Sequence, residues 1–180
     1  ILRIVVVQHC TFFINSLCHT IGKRPYNTEN SARDSAIMAV FTCGEGYHNY
    51  HHAFQHDYRN GVKPWQFDPT KWMIWVLSKL GLTSNLRRVS DEKILLAEMR
   101  EARRQAEKVK AMDLETPLCD KAMEAYNNLS QRLSDSYSEL EQAISDKVSI
   151  SRKAMAQWQK ETREFVRHVS IMTRQVKSPA

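Results

Sequence analysis

From residue 118 to residue 178 the chain contains neither glycine nor proline. These two residues interrupt helices most readily, glycine through backbone freedom and proline by removing a hydrogen bond. Bulky side chains recur through the stretch in three- and four-residue steps. Tyr126, Leu129, Leu133, Leu140, Ile144 and Val148 come first. A cleaner series follows in Met155, Trp158, Thr162, Phe165, Val169, Met172 and Val176. Such spacing lays one apolar stripe along a helix. The stretch is therefore expected to be helical, either continuous or doubled back near 145–151, and the fold class all-α. An isolated helix would leave its stripe in water, so this part is expected to pack on itself or to mediate assembly. It holds no cluster of ligand or nucleophile types, and His168 stands alone and reads as a surface residue.

The opposite end is apolar. Ile1, Val5, Val6, Val7, Phe12, Phe13, Ile14 and Leu17 supply bulk, while Gln8, Thr11, Asn15 and His19 fall at helical spacing and make one polar stripe. A polar stripe within a greasy helix suggests an inner face lining a site. The run is short of the roughly 20 residues that cross a bilayer, and Arg3 interrupts it. It reads as the end of a transmembrane helix (1–21), and the chain as the carboxy-terminal part of a longer protein. The competing reading is a buried helix of a soluble core. Gly22 and Pro25 stop the helix, and Lys23 and Arg24 just beyond it place this end on the cytoplasmic side.

Residues 32–43 suggest a short amphipathic helix, 57–61 a turn, and 70–80 a further helix closed by Gly81. Trp65, Phe67, Trp72 and Trp75 lie together beside basic residues, which suits a segment on a membrane surface as well as an aromatic core. Ser90 is a capping candidate for another helix, with Asp91 and Glu92 in its first turn. The expected organisation is a catalytic part over 22–95 and a helical extension over 96–180. Net charge is +6, and residues 1–90 carry twice as many basic as acidic residues whereas 91–180 are nearly balanced. That excess favours a membrane surface or an anionic substrate. Nucleic acid is excluded as a partner: the basic residues are scattered and no nucleic-acid-binding pattern occurs. Cys10, Cys18, Cys43 and Cys119 form no C-x-x-C pair and read as reduced thiols.

The chemistry concentrates in Gly44-Glu45-Gly46-Tyr47-His48-Asn49-Tyr50-His51-His52. His48, His51 and His52 fall at i, i+3 and i+4 and so share one helical face. Converging neutral imidazoles suit a transition metal. Asn15 and His19, also i and i+4, end the apolar run. The alternative is a histidine patch on the surface or at a helix end.

The nine-residue histidine motif resembles the third histidine box of the membrane acyl-CoA Δ9 desaturases, the stearoyl-CoA desaturase family. Asn15-Ser16-Leu17-Cys18-His19, followed by Gly22, Arg24, Pro25 and Tyr26, resembles that family's segment at the cytosolic end of its fourth transmembrane helix. Asp57-Tyr58-Arg59-Asn60-Gly61 and Gln66-Phe67-Asp68-Pro69-Thr70-Lys71-Trp72 resemble its bacterial branch. The likeness covers about residues 1–95. It implies a non-haem enzyme with two iron ions, which introduces a cis double bond at Δ9 into a saturated acyl-CoA using O2 and two electrons. His19, His48, His51 and His52 would be metal ligands, and Asn15 would hold an iron through water. The implied partners are acyl-CoA, O2, membrane lipid, and an electron donor of ferredoxin, rubredoxin or cytochrome b5 type with its reductase. The implied location is the bacterial cytoplasmic membrane, with the histidines and the tail on the cytoplasmic side.

The sequence departs from the family's pattern in two ways. The two earlier histidine boxes do not occur in these residues, and neither His9 nor His56 replaces them, so the chain alone is expected to be inactive. Cys18 stands where a small residue usually precedes the ligand histidine. Two other readings share the residues: a related di-iron hydroxylase, and a non-catalytic membrane-anchored helical scaffold that binds a partner through its tail.

Overall fold

A computed structural model of the chain describes residues 1–113 and 120–177. The two ends of the glycine- and proline-free run, near 118 and 178, lie outside them. Two compact units divide the chain, residues 1–90 and 91–180. Among the described residues all regular structure is helical.

In the first unit α1 spans Leu2–Ser16 and ends in a 3₁₀ turn, Leu17–His19. None of its residues is buried. Several of its polar side chains bond within the helix: Thr11 Oγ1 donates to the Val7 carbonyl at 3.1 Å and Ser16 Oγ to that of Phe12 at 2.8 Å. At about 1.5 Å per residue these 15 residues are shorter than a bilayer core. No helix among the described residues is long and apolar enough to cross a membrane.

α2 covers Ala36–Phe41, half of the 32–43 expected. Long-range pairing takes the missing start. Arg33 N–H donates to the Cys18 carbonyl at 2.7 Å, and Asp34 forms backbone bridges to both Lys23 and Tyr47. Ser35 then caps the helix, accepting from Met38 N–H. At the far end Cys43 adopts φ +52°, which ends it. α3 spans His48–Ala53 and α4 Pro69–Lys79. α3 follows a close approach: a Cβ on Gly46 would overlap the backbone of Met38 and Ala39 in α2.

Asp68 caps α4, accepting from Lys71 N–H at 2.9 Å, and its other oxygen accepts from Asn60 and Gly61 N–H at 2.8 and 2.9 Å. Lys71 points inward and donates through Nζ to the Gly61, Lys63 and Gln66 carbonyls. The outer face of α4 is apolar, with Trp72, Met73, Trp75, Val76 and Leu80 exposed.

The second unit is a three-helix bundle of α5 (Asp91–Asp113), α6 (Asp120–Ser145) and α7 (Arg152–Lys177). Its core draws Leu95, Met99, Ala102, Ala106 and Val109 from α5, Tyr126, Leu133 and Leu140 from α6, and Phe165, Val169 and Met172 from α7. These alternate by three and four residues or by seven, the spacing that keeps one seam facing its neighbours. The chain doubles back after Ser145. Lys147 takes a left-handed conformation (φ +54°), and Val148 N–H closes the helix end on the Ala143 carbonyl at 3.0 Å. Ser151 caps α7 through Ala154 N–H. His168 is not on the surface as expected: it is half-buried, and its Nε2 lies 3.1 Å from the Ala122 carbonyl of α6.

Candidate metal centre

α3 has only six residues and no side-chain cap from Tyr47. Its N-terminus is held by Asp34, whose carboxylate accepts from Tyr50 N–H at 3.0 Å and also from Asn49 N–H. Burial nevertheless dominates this carboxyl and pushes it up to about 6. Asn49 is fully buried and uses all its polar capacity. Oδ1 accepts from Tyr26 and Asn27 N–H, and Nδ2 donates to the Asn27 and Ala32 carbonyls. At the other end Tyr50 Oη donates to Asp57 at 2.8 Å. Asp57 also accepts from Arg59 Nε and Nη2 and from Val89 N–H. Burial would raise the Asp57 carboxyl, but these donors outweigh it and hold it below the usual range. The histidine helix is thus fastened on both sides by buried polar groups.

Three of the singled-out histidines meet. His48 Nε2 lies 3.1 Å from His19 Nε2 and 3.1 Å from His52 Nε2. One ligand atom from each of the three lies within 4.8 Å of the others. His51 lies close by but outside this triad, its ring stacked on that of His48 with centroids 6.0 Å apart. Asn15 is exposed, and its Nδ2 donates to the Thr11 carbonyl of its own helix at 3.4 Å. His9 and His56 do not join the group among the described residues.

The donor set fits a metal ion. His48 Nε2 faces two other Nε2 atoms, and a single proton or lone pair forms one good hydrogen bond, not two. A cation shared by the three lone pairs satisfies all of them. The 3.1 Å spacings match the separation of about 3.0–3.4 Å for two nitrogens set roughly 90–110° apart on an ion with bonds of about 2.1 Å. Burial, followed by the neighbouring His52, His19 and His51, pulls His48 down to about 4. Burial with His51 and His19 lowers His52 as well. Both are therefore neutral at neutral pH, the form that binds metal. His48 Nδ1 is buried without a hydrogen-bond partner, so this ring is tied down by its Nε2 side alone.

Sequence reasoning found the histidines by their spacing and missed the residues that hold them. Asn49 and Tyr50 are the interior letters of the motif, and Asp57 and Arg59 belong to a stretch that reads as a turn and shares the family resemblance, with no sign in the sequence that they fasten the histidine helix.

No protein-family model matches the chain. It is 51% identical over 92 residues to a probable acyl-CoA desaturase of Schizosaccharomyces pombe, covering 51% of this chain and 19% of that protein. It is 44% identical over 110 residues to acyl-CoA desaturase 1 of Saccharomyces cerevisiae, covering 61% and 22%. It is 41% identical over 91 residues to an sn-1 stearoyl-lipid 9-desaturase of Anabaena variabilis, covering 51% and 33%. The chain thus spans between about a fifth and a third of the length of these relatives, which are oxidoreductases. The similarity supports the desaturase family and not its bacterial branch, because both yeast proteins are more alike to it than the cyanobacterial one.

Proposed function

We propose that the chain carries part of the ligand set of a membrane-bound di-iron acyl desaturase. The observation that carries this reading is the meeting of His19, His48 and His52 through their Nε2 atoms, in a chain similar to acyl-CoA desaturases. In this reading His19, His48, His51 and His52 would be iron ligands, and Asn15 would hold an iron through a water. Iron so held, with O2 and two electrons, supplies an oxidant able to take hydrogen from an unactivated methylene pair. The saturated acyl-CoA loses two hydrogens and gains a cis double bond at Δ9. O2 leaves as two waters, with two electrons from a ferredoxin, rubredoxin or cytochrome b5 type donor and two protons from solvent.

The residues of this chain contribute binding and orientation. Burial keeps His48 and His52 neutral, and Asp34, Asn49 and Tyr50 hold the helix that presents them. A place at a membrane surface is supported by the outer face of α4 and the loop before it. There Lys79 Nζ lies 5.5 Å from the exposed Trp75 ring and Lys63 Nζ 5.6 Å from that of Trp65. Indoles with cationic heads above them suit the headgroup region.

The test uses the full-length protein with a saturated acyl-CoA, O2 and a reducing system. Gas chromatography with mass spectrometry is expected to show a monounsaturated product. His51→Ala is expected to abolish turnover and lower iron content without loss of membrane insertion. A hydroxylated product would move the reading to an oxygen-inserting enzyme, and a metal-free wild type with an intact partner complex to a scaffold.

A further inference from the structure

We infer that Ser31 is a positioning residue for His19, its hydroxyl gripping the ring from the edge opposite the histidine cluster. The inference rests on the reading of His19 as a ligand. His19 Nε2 faces His48, while its Nδ1 lies 2.8 Å from Ser31 Oγ. An imidazole that gives its Nε2 lone pair to a cation carries its proton on Nδ1. Nδ1–H then donates to Ser31 Oγ, which fixes both tautomer and ring orientation. His48 has no such grip, since its Nδ1 has no hydrogen-bond partner.

The hydroxyl is placed by its backbone. Ala32 N–H donates to Asn30 Oδ1 at 3.1 Å, and Arg33 N–H to the Cys18 carbonyl at 2.7 Å, one residue from His19 itself. The Ala32 carbonyl accepts from Asn49 Nδ2 at 2.9 Å, one residue from His48. The segment bearing Ser31 is thereby pinned to both ligand-bearing elements, and a change at either is passed to the angle at which His19 is presented. Ser31 is itself exposed, so its side chain buries no apolar surface and its loss removes little besides this one contact.

That separation makes the role testable by metal affinity independently of turnover. The full-length apo protein is titrated with Co(II), with the optical d–d bands reporting nitrogen coordination. Partners of this kind affect metal affinity by about 10–100-fold, and Ser31→Ala is expected to weaken Co(II) binding by about 10-fold. Ser31→Thr, which keeps the hydroxyl, is expected to bind within about 2-fold of wild type. The melting temperature of the apo protein should not move in either. Wild-type affinity in Ser31→Ala would overturn the inference, as would a Ser31→Thr as weak as the alanine variant. An apo melting temperature that falls with Ser31→Ala would also overturn it, by showing a structural role. His19→Ala separates the two levels: if it binds Co(II) as the wild type does, the ligand reading falls with the inference. If it loses the ion while Ser31→Ala does not, only the inference falls.

Discussion

The two units of the chain differ in how far their interiors rest on polar and charged side chains. Among the described residues of 91–180 the interior is mainly leucine, methionine, alanine, valine, phenylalanine and tyrosine at three-, four- or seven-residue spacing, with Glu101, Ser136 and Thr162 as its buried polar residues. In residues 1–90 the interior includes Asn49, Asp57, Arg59, Asp68 and Lys71, while Ile37, Phe41, Trp65, Trp75 and Leu82 face outward. The bundle is specified by volume and area, which tolerate exchange among apolar side chains of similar size. The histidine-bearing unit is specified by hydrogen bonds, each with one acceptable partner and direction. A site whose nitrogens must converge to within a few tenths of an ångström gains from the second kind of interior, since buried polar networks fix geometry when every member is satisfied. The cost is fragility: one lost partner strands several others.

The sharpest way to break this contrast is Asp57→Ala. Its carboxylate holds Arg59, Tyr50 and the Val89 amide, and both members of the ion pair are buried. Removing one partner of a buried pair costs about 3–5 kcal/mol. Hydrogen exchange read peptide by peptide is expected to show protection lost across residues 1–90 and kept in α5, α6 and α7. Equal loss in both units would mean that the two interiors are not separate.

What was legible in the sequence follows the same division. The stripe of α7 and the shared face of His48 and His52 could be read because helical periodicity is local. Gly81 likewise marks a helix limit through its own chemistry, with φ +74° after α4, and Ser90 stands directly before Asp91, the first residue of α5. The shortening of α2 could not be read, because Asp34 is claimed by Lys23, Tyr47 and Tyr50, partners 11–16 residues away in the chain. Lys71 reads as a surface lysine in any pattern. It is buried because three carbonyls of the 61–66 loop converge on it. His168 looked solitary because its partner is a backbone carbonyl 46 residues earlier. Periodicity finds faces. It does not find which buried polar group fastens them.

The bundle offers the converse test. Leu133 is fully buried among α5, α6 and α7, and Leu133→Ala should cost about 2–5 kcal/mol through lost burial and the cavity left behind. Here exchange should rise across residues 91–177 while Co(II) affinity stays as in the wild type. A change in affinity would show that the bundle's packing sets the histidine geometry.

The smallest expected effect separates two buried carboxyls by pH. Asp34 is raised to about 6, first by burial, so in the folded state it holds its proton to a higher pH than in the unfolded chain. Its contribution to stability is complete below an unfolded value near 3.8 and is lost as pH rises through about 6. Asp57 is depressed by its donors, so its contribution is present above its unfolded value and is lost as pH falls through the folded one. The two slopes have opposite signs and lie in adjacent windows, that of Asp34 between about pH 4 and 6 and that of Asp57 below its unfolded value. Asp34→Asn keeps an oxygen for the α3 amides and removes the titration. The variant is expected to lose the downward slope across the Asp34 window, a change of no more than about 2–3 kcal/mol, and to leave the acid-side fall due to Asp57 in place. Denaturant unfolding of residues 1–90, followed by exchange at pH 4, 5, 6 and 7, reads it directly. A wild-type slope retained in Asp34→Asn would mean that another group titrates there, and that the cap of the histidine helix is charged throughout.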